Sequence, residues 1–168
     1  MQGERRELRR ALRSVVGAKL ALAAGMTERP HKVSEWMTRK IVAAHEDDTI
    51  AQLLEKMQEL RIRHLPVVGD GDVLVGLITQ RDLLHAASSF LSDRESARNE
   101  LIGRVTVGAI MQRELVTAAP GDSLSEAGRV MLEGKLGCMP VVTADNVLVG
   151  LLTEADFVRL AIWYMAEL

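Results

Sequence analysis

The stretch VLVGLITQRD runs from Val73 to Asp82, and VLVGLLTEAD runs from Val147 to Asp156. The two lie 74 residues apart. The same offset, without a gap, aligns Val33–Leu84 with Val107–Val158, and 18 of the 52 aligned positions are identical. Among the identities are Met37/Met111, Val42/Val116, Asp48/Asp122, Met57/Met131, Pro66/Pro140, Gly76/Gly150, Thr79/Thr153 and Asp82/Asp156. Repetition at a fixed period governs the reading of a fold. One unit of about 50 residues buries too little surface to be stable alone. Two copies that pack as a pseudo-dimer remove that difficulty.

Working outward, each copy reads as strand, helix, strand, strand, helix. A short strand is expected around Lys40–Ala44. Thr49 then opens a helix carrying Ile50, Leu53, Leu54, Met57 and Leu60 on one side, a spacing of three and four. In the second copy Ser123-x-x-Glu126 has the form of a capping box. LPVV, a Gly69-Asp70-Gly71-Asp72 turn and VLVGLIT predict a hairpin, matched by MPVV, Thr143–Asn146 and VLVGLLT. The hairpin strands are apolar almost throughout, so both faces should be covered. Further helices are predicted after Thr79 and after Thr153.

The chain has 168 residues, 48% of them hydrophobic and 26% charged, which are globular values. Aromatics make up 3%, so the core must rest on aliphatic side chains and methionine. A net charge of −2 argues against a general nucleic-acid binder. Residues 1–25 nevertheless carry six basic against two acidic side chains. Over Glu4–Ala24, Leu8, Leu12, Val15, Val16 and Leu20 share one face, and Arg5, Arg6, Arg9, Arg10 and Arg13 largely take the other. That pattern predicts an amphipathic helix. It would dock on this protein or a dimer mate, or on a membrane surface or anionic partner. Ser14–Gly25 follows arginines as a secretory leader would, but Lys19 interrupts it and Glu4 and Glu7 flank it, against a cleaved signal. A single cysteine, Cys138, allows no intrachain disulfide and fits a reducing compartment. No run approaches the ~20 apolar residues of a membrane helix. Between the copies, Ser92–Leu101 is polar and predicts a linking helix. The tail FVRLAIWYMAEL should extend the last helix into an interface, with Trp163 and Tyr164 as anchors.

Two tandem copies, each with x-h-P-V-V followed by G-h-h-T-x-x-D, resemble the CBS domain family, named from cystathionine beta-synthase. The resemblance covers about residues 33–88 and 105–165. It implies an α/β fold of two β-α-β-β-α repeats packed as a pseudo-twofold pair, a Bateman module, with an extra N-terminal amphipathic helix. The expected organisation is a basic helix and linker over 1–32, repeat one over 33–88, a linker helix over 89–104, and repeat two with the C-terminal helix over 105–168. The resemblance further implies a non-catalytic regulatory role and an adenosyl ligand (AMP, ADP, ATP or an S-adenosylmethionine-like compound) in clefts between the repeats. No other cofactor is implied. Expected partners are a second copy of the chain and a regulated enzyme or membrane transporter, with a cytoplasmic location or the cytoplasmic part of a membrane protein. The alternatives are a ligand-free dimerisation module and a regulatory fragment of something larger.

Thr79 sits where strand gives way to helix. Backbone N–H groups there attract anions, and a carboxylate three residues on can accept both hydroxyls of a ribose. The resemblance assigns those roles to Thr79 and Asp82, and again to Thr153 and Asp156. Thr-x-x-Asp is equally a helix cap, and the residues alone leave both readings open. Gly76 would permit close approach of backbone or ligand. Arg63, His64 and Arg81, with Arg61 nearby, would gather positive charge beside repeat one, and arginine suits bidentate phosphate contacts. Pro66 and Pro140 complete the ligand-lining set. Repeat two replaces Arg63-His64 with Gly137-Cys138 and Arg81 with Ala155, so the two sites should be unequal. The family borrows residues from the opposite repeat, which makes Ser34–Ile41 and Gly108–Leu115 candidate walls for the adenine. Cys138 is expected to be a small buried filler. His45-Glu46-Asp47-Asp48 is expected to be a strand-to-helix turn rather than a metal site. No nucleophile set, Walker loop or Rossmann fingerprint occurs, so catalysis is not expected.

Overall fold

The computed structural model describes residues 29–88 and 104–166. The helices predicted over Glu4–Ala24 and Ser92–Leu101 lie outside the described residues. The chain divides into two compact units: unit I is residues 42–115, and unit II joins the residues up to 41 to those from 116 onward. The division therefore falls inside the sequence repeats. The first residues of each repeat belong to the unit formed by the body of the other.

In unit I, helix α2 spans Ile50–Leu60, after α1 at Val33–Trp36 in unit II. Thr49 caps α2: its hydroxyl accepts from Gln52 N, and Gln52 Oε1 accepts from Thr49 N at 2.8 Å. Ile50, Leu53, Met57 and Leu60 face the core as their spacing requires. The helix stops at Arg61, whose φ of 55° cannot continue it. Strands β1 (His64–Val68) and β2 (Leu74–Thr79) form the predicted antiparallel hairpin. The turn is made by Gly71 and Asp72, both at positive φ. Helix α3 (Gln80–Ser88) follows β2 directly.

The expected strand around Lys40–Ala44 reduces to one parallel bridge. Ala44 N donates to Pro66 O and Val68 N donates to Ala44 O, both at 2.9 Å. The chain passes from one unit to the other at Ile41–Val42, so only the end of that segment lies beside β1. On the other edge of the hairpin, Leu77 and Gln112 exchange two backbone bonds of 2.9 Å. Gln112 follows a short 3-10 turn, Val107–Ala109, that is anchored by Val107 N to Asp48 O at 2.8 Å and Gly108 N to Glu46 O at 2.9 Å. Val107 is fully buried in the unit I core with Ile50, Leu65, Val67, Ile78 and Leu83.

Unit II repeats this plan. Helix α4 (Leu124–Glu133) precedes β3 (Cys138–Val142), β4 (Leu148–Thr153) and α5 (Glu154–Ala166). Ala118 bridges Pro140 and Val142 as Ala44 does Pro66 and Val68. Lys135 and Asn146, the counterparts of Arg61 and Asp72, are also left-handed. Thr38 and Leu151 exchange bonds of 2.8 and 2.9 Å, mirroring Gln112 and Leu77. The capping box predicted at Ser123 is only half made. Its hydroxyl accepts from Glu126 N, but the Glu126 carboxylate turns to Arg129 instead.

The C-terminal helix also departs from expectation. Trp163 is 7% exposed and stacks on Trp36 with centroids 6.2 Å apart, so it serves the core of its own unit rather than an interface. Tyr164 is half-buried beneath the Arg29 guanidinium. The apolar side chains that α5 leaves outside are Val158, Ile162 and Met165. No helix among the described residues is long and apolar enough to cross a membrane.

Candidate functional site

At the β2–α3 junction of unit I, Thr79 N and Thr79 Oγ1 both donate to Asp82 Oδ2, at 2.9 and 2.7 Å. Asp82 N donates back to Thr79 Oγ1 at 3.2 Å. The pair thus forms a closed cap. It uses one carboxylate oxygen, and among the described residues no donor reaches the other, Oδ1. Asp82 and Thr79 are both half-buried.

The strand register gathers the rest. His64 lies opposite Thr79, and Gln80 N donates to Arg63 O at 2.9 Å, which sets Arg63 and His64 beside the first turn of α3. His64 is half-buried, whereas Arg61, Arg63 and Arg81 are exposed. None of these three arginines forms an ion pair among the described residues. Pro66 is buried two residues further along β1 and contributes its carbonyl to the Ala44 bridge.

Gly76 has the role its sequence position allowed, close approach, but to protein. A Cβ there would come within 2.5 Å of Met111 Sδ and 3.1 Å of Gln112 O. The segment beginning repeat two therefore lies directly on β2. The expected wall segment Gly108–Leu115 is in unit I with Thr79 and Asp82, and Ser34–Ile41 is in unit II with Thr153 and Asp156.

Unit II builds the same junction with different surroundings. Thr153 N and Oγ1 donate to Asp156 Oδ2, both at 2.9 Å. Arg159 Nη1 donates to Asp156 Oδ1 at 2.9 Å, an ion pair the sequence reading missed. The i, i+3 spacing was its only signal. Asp156 is 1% exposed, and its main-chain carbonyl accepts from Trp36 Nε1 at 2.8 Å. Cys138 occupies the register position opposite Thr153 that His64 holds opposite Thr79. Burial, and then the Asp156 carboxylate, push the Cys138 thiol up to about 12. It is a protonated, packed thiol, as a small apolar filler should be. Pro140 is buried, its carbonyl bonded to Ala118.

Two other features are resolved. His45–Asp48 is a turn in which Asp48 Oδ2 accepts from His45 N at 2.9 Å, and the helix cap is Thr49 rather than Asp48. Unit II also holds a groove of about 550 Å³ lined by Pro30, His31, Lys32, Ser125, Phe157 and Tyr164 among others. None of the predicted site residues lines it.

Comparison with known proteins agrees with this construction. The CBS domain model matches residues 33–89 and 107–162. A curated relative, the uncharacterized protein MJ0188 of Methanocaldococcus jannaschii, is 28% identical over 128 residues, covering 76% of this chain and 43% of its own length. The chain spans less than half the length of the first curated relatives it matches. Among solved structures, Arabidopsis thaliana CBSX2 in complex with AMP superposes with a TM-score of 0.68 at 29% identity, covering 81% of this chain and 99% of that one. The CBS domain pair of protein MJ0100, in complex with 5′-methylthioadenosine and S-adenosyl-L-methionine, gives 0.64 at 26%, covering 77% and 98%. Two repeats of one plan, each closed by a threonine–aspartate junction, together with these matches, place the chain in the CBS domain family as a tandem pair.

Proposed function

We propose that this chain is a non-catalytic regulatory module that binds an adenosine-containing ligand and passes its binding state to a partner. The observation that carries the reading is the β2–α3 junction of unit I. There a half-buried Asp82 keeps one carboxylate oxygen without a donor among the described residues, next to helix N–H groups, His64 and the exposed Arg63 and Arg81. A ribose diol fits the carboxylate, and a phosphate suits the helix start and the guanidinium groups. AMP in one relative and adenosyl compounds in another support the ligand class. Arg63, His64, Pro66, Thr79, Arg81 and Asp82 are the proposed contacts in repeat one; Pro140, Thr153 and Asp156 hold the corresponding positions in repeat two.

Output requires a surface and a preference. A ligand shifts an equilibrium only by binding one arrangement better than another. The exposed stripe Val158, Ile162 and Met165 on α5 is the proposed contact for a second copy of the chain or for the regulated enzyme or transporter.

Thermal unfolding with AMP, ATP and S-adenosylmethionine tests the proposal. A ligand at 100 times its Kd should add about 2.7 kcal/mol. The competing reading, a ligand-free dimerisation module, is favoured by one observation: Thr79 and Asp82 already satisfy each other as a cap. That reading wins if every adenosyl compound leaves unfolding unchanged.

A further inference from the structure

We infer that Arg159 closes the second repeat's copy of the site, so that the chain takes a single adenosyl ligand, at Asp82. The inference rests on the reading above that these aspartates face a ribose. The two junctions are alike through their first carboxylate oxygen: in each, the threonine N–H and hydroxyl donate to Oδ2. They differ at the second. Asp156 Oδ1 accepts from Arg159 Nη1 at 2.9 Å, whereas no donor among the described residues reaches Asp82 Oδ1.

Position 159 corresponds to position 85 in the first repeat, which is an exposed histidine. Arg159 arises on the same helical turn as Asp156, so the pair is local and forms without help from a ligand. Its surroundings hold it there. Asp156 is 1% exposed, the Arg159 side chain is 24% exposed, and Trp36 Nε1 is bonded to the Asp156 carbonyl. The residue corresponding to Trp36 in the other repeat is Ile110, which has no ring N–H to offer. Asp156 is too buried for a ribose to reach Oδ1 beside Arg159, so the guanidinium would have to move aside. The same ribose at Asp82 Oδ1 displaces no donor among the described residues. Charge points the same way, since the junction without the internal arginine is the one beside Arg63 and Arg81.

Isothermal titration of the full chain with AMP, and separately with adenosine, measures sites per chain in the wild type, in Arg159→His and in His85→Arg. The first variant gives repeat two the residue that repeat one carries. The second installs the plug on an exposed position of repeat one. The expected counts are one, two and none, with His85→Arg weakening AMP at least tenfold. Two sites of equal affinity in the wild type overturn the inference and leave the adenosyl reading intact. So does AMP binding by His85→Arg that matches the wild type. Binding in none of the three proteins overturns the adenosyl reading and the inference with it.

Discussion

Asp82 and Asp156 are the same residue by sequence alignment and different groups by environment. A cap alone is worth about 1 kcal/mol, so Asp82→Asn should leave the fold intact. A hydrogen bond to a charged group is worth about 1.5–3 kcal/mol. Asp82→Asn should therefore weaken AMP binding about tenfold or more in calorimetry, and Asp156→Asn should leave it nearly unchanged. Equal affinity in both variants and the wild type would contradict the assignment. Arg63→Ala should weaken AMP but not adenosine, because only AMP carries a phosphate, and a matching loss for both ligands would remove Arg63 from the phosphate contacts. Cys138 gives a pH dependence. Its thiol is raised by burial to about 12 from an ordinary value of 9.0, so folding favours the protonated form. The resulting stability is complete below pH 9.0 and is lost as the pH rises toward about 12, because the unfolded chain ionises first. Alkaline denaturant titration of Cys138→Ala should show a smaller loss over that window than the wild type.

At the scale of elements, helices and hairpins followed from local pattern. Ile50, Leu53, Met57 and Leu60 share a face because 3.6 residues make a turn, and no partner is needed to see it. Three readings failed where a neighbour decides the outcome. Lys40–Ala44 has the composition of a strand but only Ala44 finds a strand to pair with. Glu126 was free to complete a capping box, but Arg129 on the next turn takes its carboxylate. Trp163 looked like an interface anchor until Trp36 covered it. Glycine at 76 and 150 is required by contact across elements. Gly76→Ala should destabilise unit I by about 1–3 kcal/mol, the usual cost of overpacking. Met111→Ala in the same chain should recover part of that loss in urea unfolding. Absence of any coupling between the two substitutions would show that Met111 is not what holds the space.

Across the whole molecule, the segments that open each repeat lie in the unit of the other. Val107 is fully buried and donates its N–H to Asp48 O, and it belongs to the unit I core. A fragment cut at the sequence repeat, 33–88, lacks that contribution and keeps a leader whose partner is gone. The fragment 42–115 holds the whole compact unit. Circular dichroism and denaturant unfolding should find a cooperative transition in 42–115 and a weaker one or none in 33–88. The reverse order would mean that the repeat is the folding unit after all.

What the sequence alone determined is the doubled plan and the pair of threonine–aspartate junctions. Both are written in local periodicity and in an ungapped offset of 74 residues, which survive any arrangement of the parts. What only the tertiary structure decided is which copy of each identical element meets which. Met37 and Met111 are the same residue, as are Gly76 and Gly150, so the sequence permits either pairing. The fold sets Met37 on Gly150 and Met111 on Gly76. It also decided how the two junctions differ: among the described residues a donor, Arg159, reaches the second carboxylate oxygen at Asp156 and none reaches it at Asp82, because packing sets which side chain lies within reach.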